Sequence, residues 1–191
     1  MTVTEHPEAE AEPPDRAAVF RGLSRYWQYP TQDLIRVLRE ASPGLSADVE
    51  LRELRVEYTR LFLGPGTGQC PPYESVYRDG DDDGELGPVR GPSTDAVRRW
   101  YREFGTRPDP ERPALADHVA TELEFVAHLA ETEDPDVVEQ FLDEHPRRWV
   151  GTFAARVRDH DPDGFYRTLL DLTERAVETG GTTVTEVTEG E

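Results

Sequence analysis

Apolar positions along this chain recur with a helical period almost throughout. Val19, Leu23, Tyr26 and Trp27 share one side of a first helix that begins after Pro14-Asp15 and is stopped by Pro30. Thr31 caps a short second helix carrying Leu34, Ile35 and Leu38, which ends at Pro43-Gly44. From Ser46 a longer helix bears Leu54, Tyr58, Leu61 and Phe62 until Gly64-Pro65-Gly66. Helical order returns at Ser93 or Thr94. There Val97, Trp100, Tyr101 and Phe104 form an aromatic stripe closed by Gly105. Residues 114–132 carry the strongest helical signal, and Asp134-Pro135 opens a further helix through Val138, Phe141 and Leu142. Trp149, Phe153 and Val157 mark another. The last, opened by Asp161-Pro162, carries Phe165, Leu169, Leu172 and Val177. Alternation of period two is confined to 182–188. The pattern predicts an all-α protein, a single bundle of about seven or eight helices over residues 15–179. The ends, 1–14 and 180–191, are rich in Glu, Thr, Pro and Gly and are predicted to be disordered tails.

Residues 64–92 break the pattern. They hold seven glycines, five prolines and an acidic run at 79–85 interrupted by Gly80 and Gly84. That composition predicts neither a helix nor an ordinary strand, so the segment reads as one long loop across the surface of the bundle. Loops of this length are functional or disordered.

Composition changes the picture in three ways. With 36% hydrophobic and 32% charged residues, the chain lies above the disordered range. The net charge is -19, from 40 acidic and 21 basic residues, and every basic residue is arginine. Such acidity argues against a nucleic-acid partner, which needs a basic face, and leaves a cationic peptide open. It is read either as a general solvation device or as adaptation to a salty cytoplasm, where self-repulsion is screened over a few ångströms. Cys70 is the only cysteine, which excludes a disulfide framework, zinc finger or iron–sulfur site carried by this chain alone. Residues 1–14 have neither a basic residue nor an apolar stretch, and no apolar run approaches about 18 residues. A cytoplasmic protein without stable membrane insertion is predicted.

Three constellations bear on chemistry. The Leu61-Phe62 helix end leads into Pro71-Pro72-Tyr73-Glu74-Ser75-Val76-Tyr77, where prolines fix an extended backbone beside two flat tyrosines. Such a segment lines a groove for an extended peptide or is simply a stapled surface loop. On the long helix, His118 and Glu122 are four apart, as are Glu124 and His128. These pairs suggest a metal site, a ligand-facing Asp117-His118 pair, or buried polar residues holding the helix against a loop. No second helix supplies the Glu-x-x-His of di-iron bundles. The Phe141–Phe165 region reads as core packing. No P-loop, GxGxxG, GxSxG or Cys/His nucleophile arrangement is present, so no catalytic residue, metal ligand or resident cofactor is predicted.

Taken together, these segments resemble the TorD/DmsD/NarJ family of redox-enzyme maturation chaperones over roughly residues 17–178. The resemblance rests on Tyr58…Leu61-Phe62, on Pro71 through Tyr77, and on Asp117-His118…Glu122-Leu123-Glu124-Phe125. The pattern Phe141-Leu142…His145…Trp149…Phe153…Phe165-Tyr166 adds to it. It implies a cytoplasmic, non-enzymatic chaperone, monomeric or dimeric. Its partners would be the twin-arginine signal peptide, the apo catalytic subunit of a molybdopterin oxidoreductase, or both. The oxidoreductase would be of the dimethyl sulfoxide/trimethylamine N-oxide reductase type, with the molybdopterin cofactor belonging to the client. Carried over by motif, Pro72, Tyr73, Ser75, Tyr77, Asp117 and His118 would line the peptide groove, and Glu122 and Glu124 would support the helix or meet peptide charge. The alternatives are a nitrate-reductase-type assembly chaperone without a signal-peptide role and a metal-dependent helical-bundle enzyme. One departure is Ala116, where the family often has proline or an acid before the Asp-His pair.

Overall fold

The structure is a computed structural model that describes residues 15–41, 50–63, 69–81, 85–108 and 115–182. Within these it is all-helical, with nine α-helices and one antiparallel bridge, Tyr73 to His118, in place of any strand. The helices are α1 (Arg16–Tyr26), α2 (Gln32–Ala41), α3 (Leu51–Tyr58), α4 (Glu74–Arg78) and α5 (Pro92–Glu103). They continue with α6 (Val119–Thr132), α7 (Pro135–Glu144), α8 (Pro146–Arg158) and α9 (Gly164–Thr179). Helix α3 runs on into a π-helical turn, Thr59–Leu63. The tails 1–14 and 183–191, the Pro43-Gly44 stop, the Ser46 start and the Gly64-Pro65-Gly66 stop lie outside the described residues.

Helix α6 is the axis of the bundle. Its residues Leu123, Phe125, Val126, Ala127 and Leu129 are buried around most of its circumference, and α1 packs along it more extensively than any other helix pair. The side chain of Asp15 accepts from the amides of Ala17 and Ala18, satisfying donors that the first turn of α1 leaves unpaired. Thr31 Oγ1 accepts from Leu34 N at 3.2 Å, as its N-cap role requires. Trp27, Phe62, Phe153 and Tyr166 meet between α1, the π turn, α8 and α9, with Trp27–Phe153 ring centroids 5.3 Å apart and Phe62–Tyr166 5.4 Å apart. The Trp27 indole N–H donates to Thr173 Oγ1 at 2.9 Å, so its one polar group is satisfied inside the core.

Three expectations need correction. Helix α4 lies within the segment 64–92 expected to hold none, and its Glu74, Ser75 and Val76 are buried. This stretch is therefore an inserted plug rather than a loop across the surface. The glycines around it permit close return of the chain: a Cβ on Gly87 would meet Ser75 O at 2.5 Å, and Gly87 N donates to Val76 O at 2.8 Å. Helix α6 begins at Val119, so Asp117 and His118 precede the helix and do not sit on its face. The last helix takes Asp163 as its N-cap, with Oδ1 accepting from Tyr166 N at 3.0 Å, and not the Asp161-Pro162 pair.

Candidate functional site

The distinctive chemistry lies where the 70–79 segment meets the turn before α6. Pro71 and Pro72 have no backbone N–H, so this stretch contributes mainly acceptors. Pro72 O accepts from Val119 N at 2.9 Å, and Tyr73 faces His118 across the bridge. The five residues of α4 are too few to sustain a helix alone, and its N-cap, Tyr73, offers no side-chain acceptor. Asp117 supplies what is missing. Its carbonyl accepts from Glu74 N at 2.9 Å and its carboxylate Oδ2 from Ser75 N at 3.1 Å. A carboxylate 42 residues away along the chain thus caps the helix. Asp79 repeats the device at the other end of α4, accepting from Ser93 N at 2.9 Å and Ser93 Oγ at 2.7 Å to cap α5.

His118 is the N-cap of α6, and its Nδ1 accepts from Ala120 N at 3.1 Å. An accepting Nδ1 carries no proton, so the imidazole is neutral with its hydrogen on Nε2. Burial, which penalises the charged ring, pushes its pKa down from 6.5 to about 4. The Tyr73 ring packs against it edge-on at 5.0 Å. Burial and then the nearby Asp117 carboxylate raise the pKa of the Tyr73 hydroxyl.

Beneath this layer lie the fully buried carboxylates of Glu74 and Asp117 and that of Glu122, which is 1% exposed. Glu74 is bound by the Arg78 guanidinium and by His145 Nδ1, 2.9 Å from Oε2. Arg78 also donates to Glu144 O at 2.9 Å, tying α4 to the joint between α7 and α8. Glu122 Oε2 accepts from the Trp149 indole N–H at 3.0 Å. Tyr77 stacks on Trp149 at 5.7 Å, and burial raises the pKa of its hydroxyl strongly. The Oγ of Ser75, the hydroxyl of Tyr77, Oδ1 of Asp117 and Oε1 of Glu122 are buried without a hydrogen-bond partner among the described residues. Beside this knot a cleft of about 610 Å³ opens between α4, α5 and the α7–α8 joint, lined by Arg78, Trp100, His145 and Arg148 among others.

The structure brings together seven of the eight residues singled out from the sequence. Pro72, Ser75, Asp117, His118 and Glu122 are buried within the knot, and Tyr73 and Tyr77 are half-buried at its edge. Glu124 belongs elsewhere. It lines a cavity of about 250 Å³ with Arg21, Tyr101, Arg107, His128 and Glu131. Of the readings open for the 117–122 stretch, buried polar residues holding the helix against a loop describes the observed contacts. His118 and Glu122 are engaged separately, with Ala120 N and Trp149. Among the described residues no group of three or more His, Cys, Asp or Glu converges as metal ligands do. Glu74 and His145 belong to the motifs that carry the resemblance but have no site role there, and Arg78 lies outside those motifs. A signal for Glu74 and Arg78 was present, a Glu and an Arg four apart between a Pro-Pro pair and an Asp-Gly pair.

The family profile of the nitrate reductase delta subunit matches residues 23–155. This chain belongs to that family. The match spans the whole knot, from Pro72 to Trp149. Among relatives, the chain is 28% identical over 140 residues to the chaperone protein TorD of Shewanella loihica, covering 73% of this chain and 66% of that one. It is 33% identical over 115 residues to the Tat proofreading chaperone DmsD of Salmonella typhimurium, covering 60% of this chain and 54% of the relative. The chain therefore spans between about half and two thirds of the length of these relatives. In fold it is similar to a crystal structure from Archaeoglobus fulgidus assigned to redox enzyme maturation, with a TM-score of 0.61 at 21% identity over 91% of this chain and 99% of the other. Members of the family thus include named chaperones on an all-helical frame.

Proposed function

We infer that this protein is an assembly chaperone that acts by holding a client polypeptide and not by catalysis. The client is the apo catalytic subunit of a molybdopterin oxidoreductase, of the dimethyl sulfoxide or trimethylamine N-oxide reductase type. The chaperone binds its twin-arginine signal peptide, the subunit itself, or both, and holds it for cofactor insertion before export. The observation that carries this reading is that the family match spans the entire knot between 72 and 149. The names of the TorD and DmsD relatives support it. Among the described residues no helix is long and apolar enough to cross a membrane.

The client contact is the edge of the knot. Tyr73 and Tyr77 present their half-buried rings there, while Pro72, Ser75, Asp117, His118 and Glu122 hold them in place from inside. A twin-arginine segment is cationic and then apolar, so aromatic surface supplies most of the affinity and half-buried carboxylates such as Glu124 add a screened term. The test is a titration of full-length protein with a labelled twin-arginine signal peptide at native salt. Tyr73→Ala weakens binding about tenfold, a loss of about 1.4 kcal/mol. If Tyr73→Ala and Asp117→Ala both left the affinity unchanged, this assignment of the site would be wrong.

A second reading, a nitrate-reductase-type assembly chaperone with no signal-peptide role, is favoured by the description of the matched family itself. Retention of a catalytic subunit lacking its signal, with no binding of the isolated peptide, selects that reading over the first.

A further inference from the structure

The knot contains a charge imbalance that its contacts resolve in one way. Glu74, Asp117 and Glu122 are three carboxylates at most 1% exposed. Glu74 has Arg78 and His145, and Asp117 has the α4 amides. Glu122 has the Trp149 indole as its one donor among the described residues; no cation pairs with it there, its Oε1 meets no donor, and its other polar neighbour is the Glu74 carboxylate. An ionised carboxylate buried with one neutral donor is untenable, because the loss of hydration far exceeds what a single indole N–H returns. The groups around it make ionisation worse. The Glu74 carboxylate of α4 opposes it most, followed by Asp117 in the preceding turn, while the Tyr101 hydroxyl of α5 is neutral and donates to Thr121 O instead. His118, one turn back, is neutral.

We propose that Glu122 is a neutral carboxylic acid whose proton is held against the Glu74 carboxylate, and that this acid pair is the positioning element that sets α4, and with it Tyr73 and Tyr77, against α6 and α8. The pair carries one negative charge, which Arg78 and His145 meet from the other side. Glu122 bridges to α8 through Trp149, the ring on which Tyr77 stacks. Ionising Glu122 places two adjacent anions inside the knot and drives α4 outward, away from α6. Burial, then the Glu74 charge, raises the Glu122 pKa well above its ordinary 4.5, in keeping with this arrangement. The positioning role rests on the reading of this edge as the client contact; the protonation state does not.

The sign of the pH effect follows. The folded state keeps a proton that the unfolded chain releases above about 4.5, so the contribution of Glu122 is full below that value and is lost as pH rises through its folded value. The experiment compares thermal unfolding of the full chain, wild type and Glu122→Gln, between pH 5 and 8, with carboxyl carbon shifts of isotopically labelled glutamates followed by NMR. In the difference between the two proteins the shared His118 term cancels. Glu122→Gln supplies a permanently neutral side chain of the same shape. Its melting temperature gains on wild type as pH rises, and one glutamate carboxyl of wild type keeps a protonated shift at pH 7. If the two profiles ran parallel and every glutamate were ionised at pH 7, the acid pair would not exist. Signal-peptide affinity measured over the same range separates the two claims. A wild-type affinity that falls with pH, and a flat one in Glu122→Gln, support the positioning role. An acid pair verified by NMR together with pH-independent affinity in both proteins would overturn the positioning role and leave the protonation state standing.

Discussion

Two interior regions of this molecule are equally buried and are held by different physics. Around Trp27, Phe62, Phe153 and Tyr166, helices from the two ends of the chain meet through aromatic surface, with few directional contacts such as Trp27 to Thr173 and Tyr58 to the Trp27 carbonyl. Around Glu74, Asp117, His118 and Glu122, nearly every contact is directional and joins partners far apart in sequence. The first region depends on area and volume, to which many side chains contribute interchangeably. The second depends on donors and acceptors being opposite one another, so a single replacement strands its partner. The difference suits the proposed role, in which a stable frame presents one shaped edge to a client.

Replacements that separate these two kinds of interior come in a definite order of size. Trp27→Ala removes the largest buried side chain of the aromatic region and leaves a cavity; it lowers unfolding free energy by about 4 kcal/mol in denaturant titrations. That loss is the same at pH 5 and pH 8, because the partners of the indole among the described residues, Phe62, Phe153, Tyr166 and Thr173, do not titrate in this range. Asp117→Ala strands the amide of Ser75, and the chain loses about 1–3 kcal/mol. Hydrogen exchange checks the origin of that loss: amides of Glu74–Arg78 exchange faster while those of α9 remain protected.

His118 brings in pH. Its ring stays neutral in the fold, whereas the unfolded chain takes up a proton below about 6.5. Stability is therefore complete above 6.5 and is lost as pH falls toward about 4, by up to about 3 kcal/mol. His118→Asn keeps an acceptor at the N-cap and removes the titration, so its acid unfolding curve loses this part of the slope. A His118→Asn variant as acid-sensitive as wild type would show that the term lies elsewhere. The smallest effect is Arg36→Ala on α2, whose contacts with Asp33 and Glu40 are exposed ion pairs; it changes unfolding free energy by less than about 0.5 kcal/mol. A larger change there would mean that surface charge, and not the knot, dominates the electrostatics of this acidic chain.

The apolar faces of the helices were largely legible in the sequence. Val97, Trp100, Tyr101 and Phe104 announced their helix by spacing alone, and so did Leu34, Ile35 and Leu38. Residues of the knot were legible as a group, since Pro72, Tyr73, Ser75, Tyr77, Asp117, His118 and Glu122 do come together. Their roles were not. Asp117 reads as a ligand-facing or buried polar residue of the long helix until it is seen capping a helix 42 residues earlier. Glu74 and His145 give no sign of being partners until burial makes each depend on the other. Glu124, two positions from Glu122, lines a cavity elsewhere because two residues along a helix turn the side chain by about 200°, to the opposite face.

Local periodicity, caps and prolines determined by themselves that this chain is an all-helical bundle, and where most of its helices run. Such signals act over one or two turns, so a sequence displays them directly. Tertiary structure alone decided that Glu74–Arg78 is a helix, that its N-terminus is capped from the far side of the chain, and that Glu122 is buried without a cation among the described residues. A five-residue helix has no period to read, and neither capping in trans nor desolvation exists until distant segments are packed together.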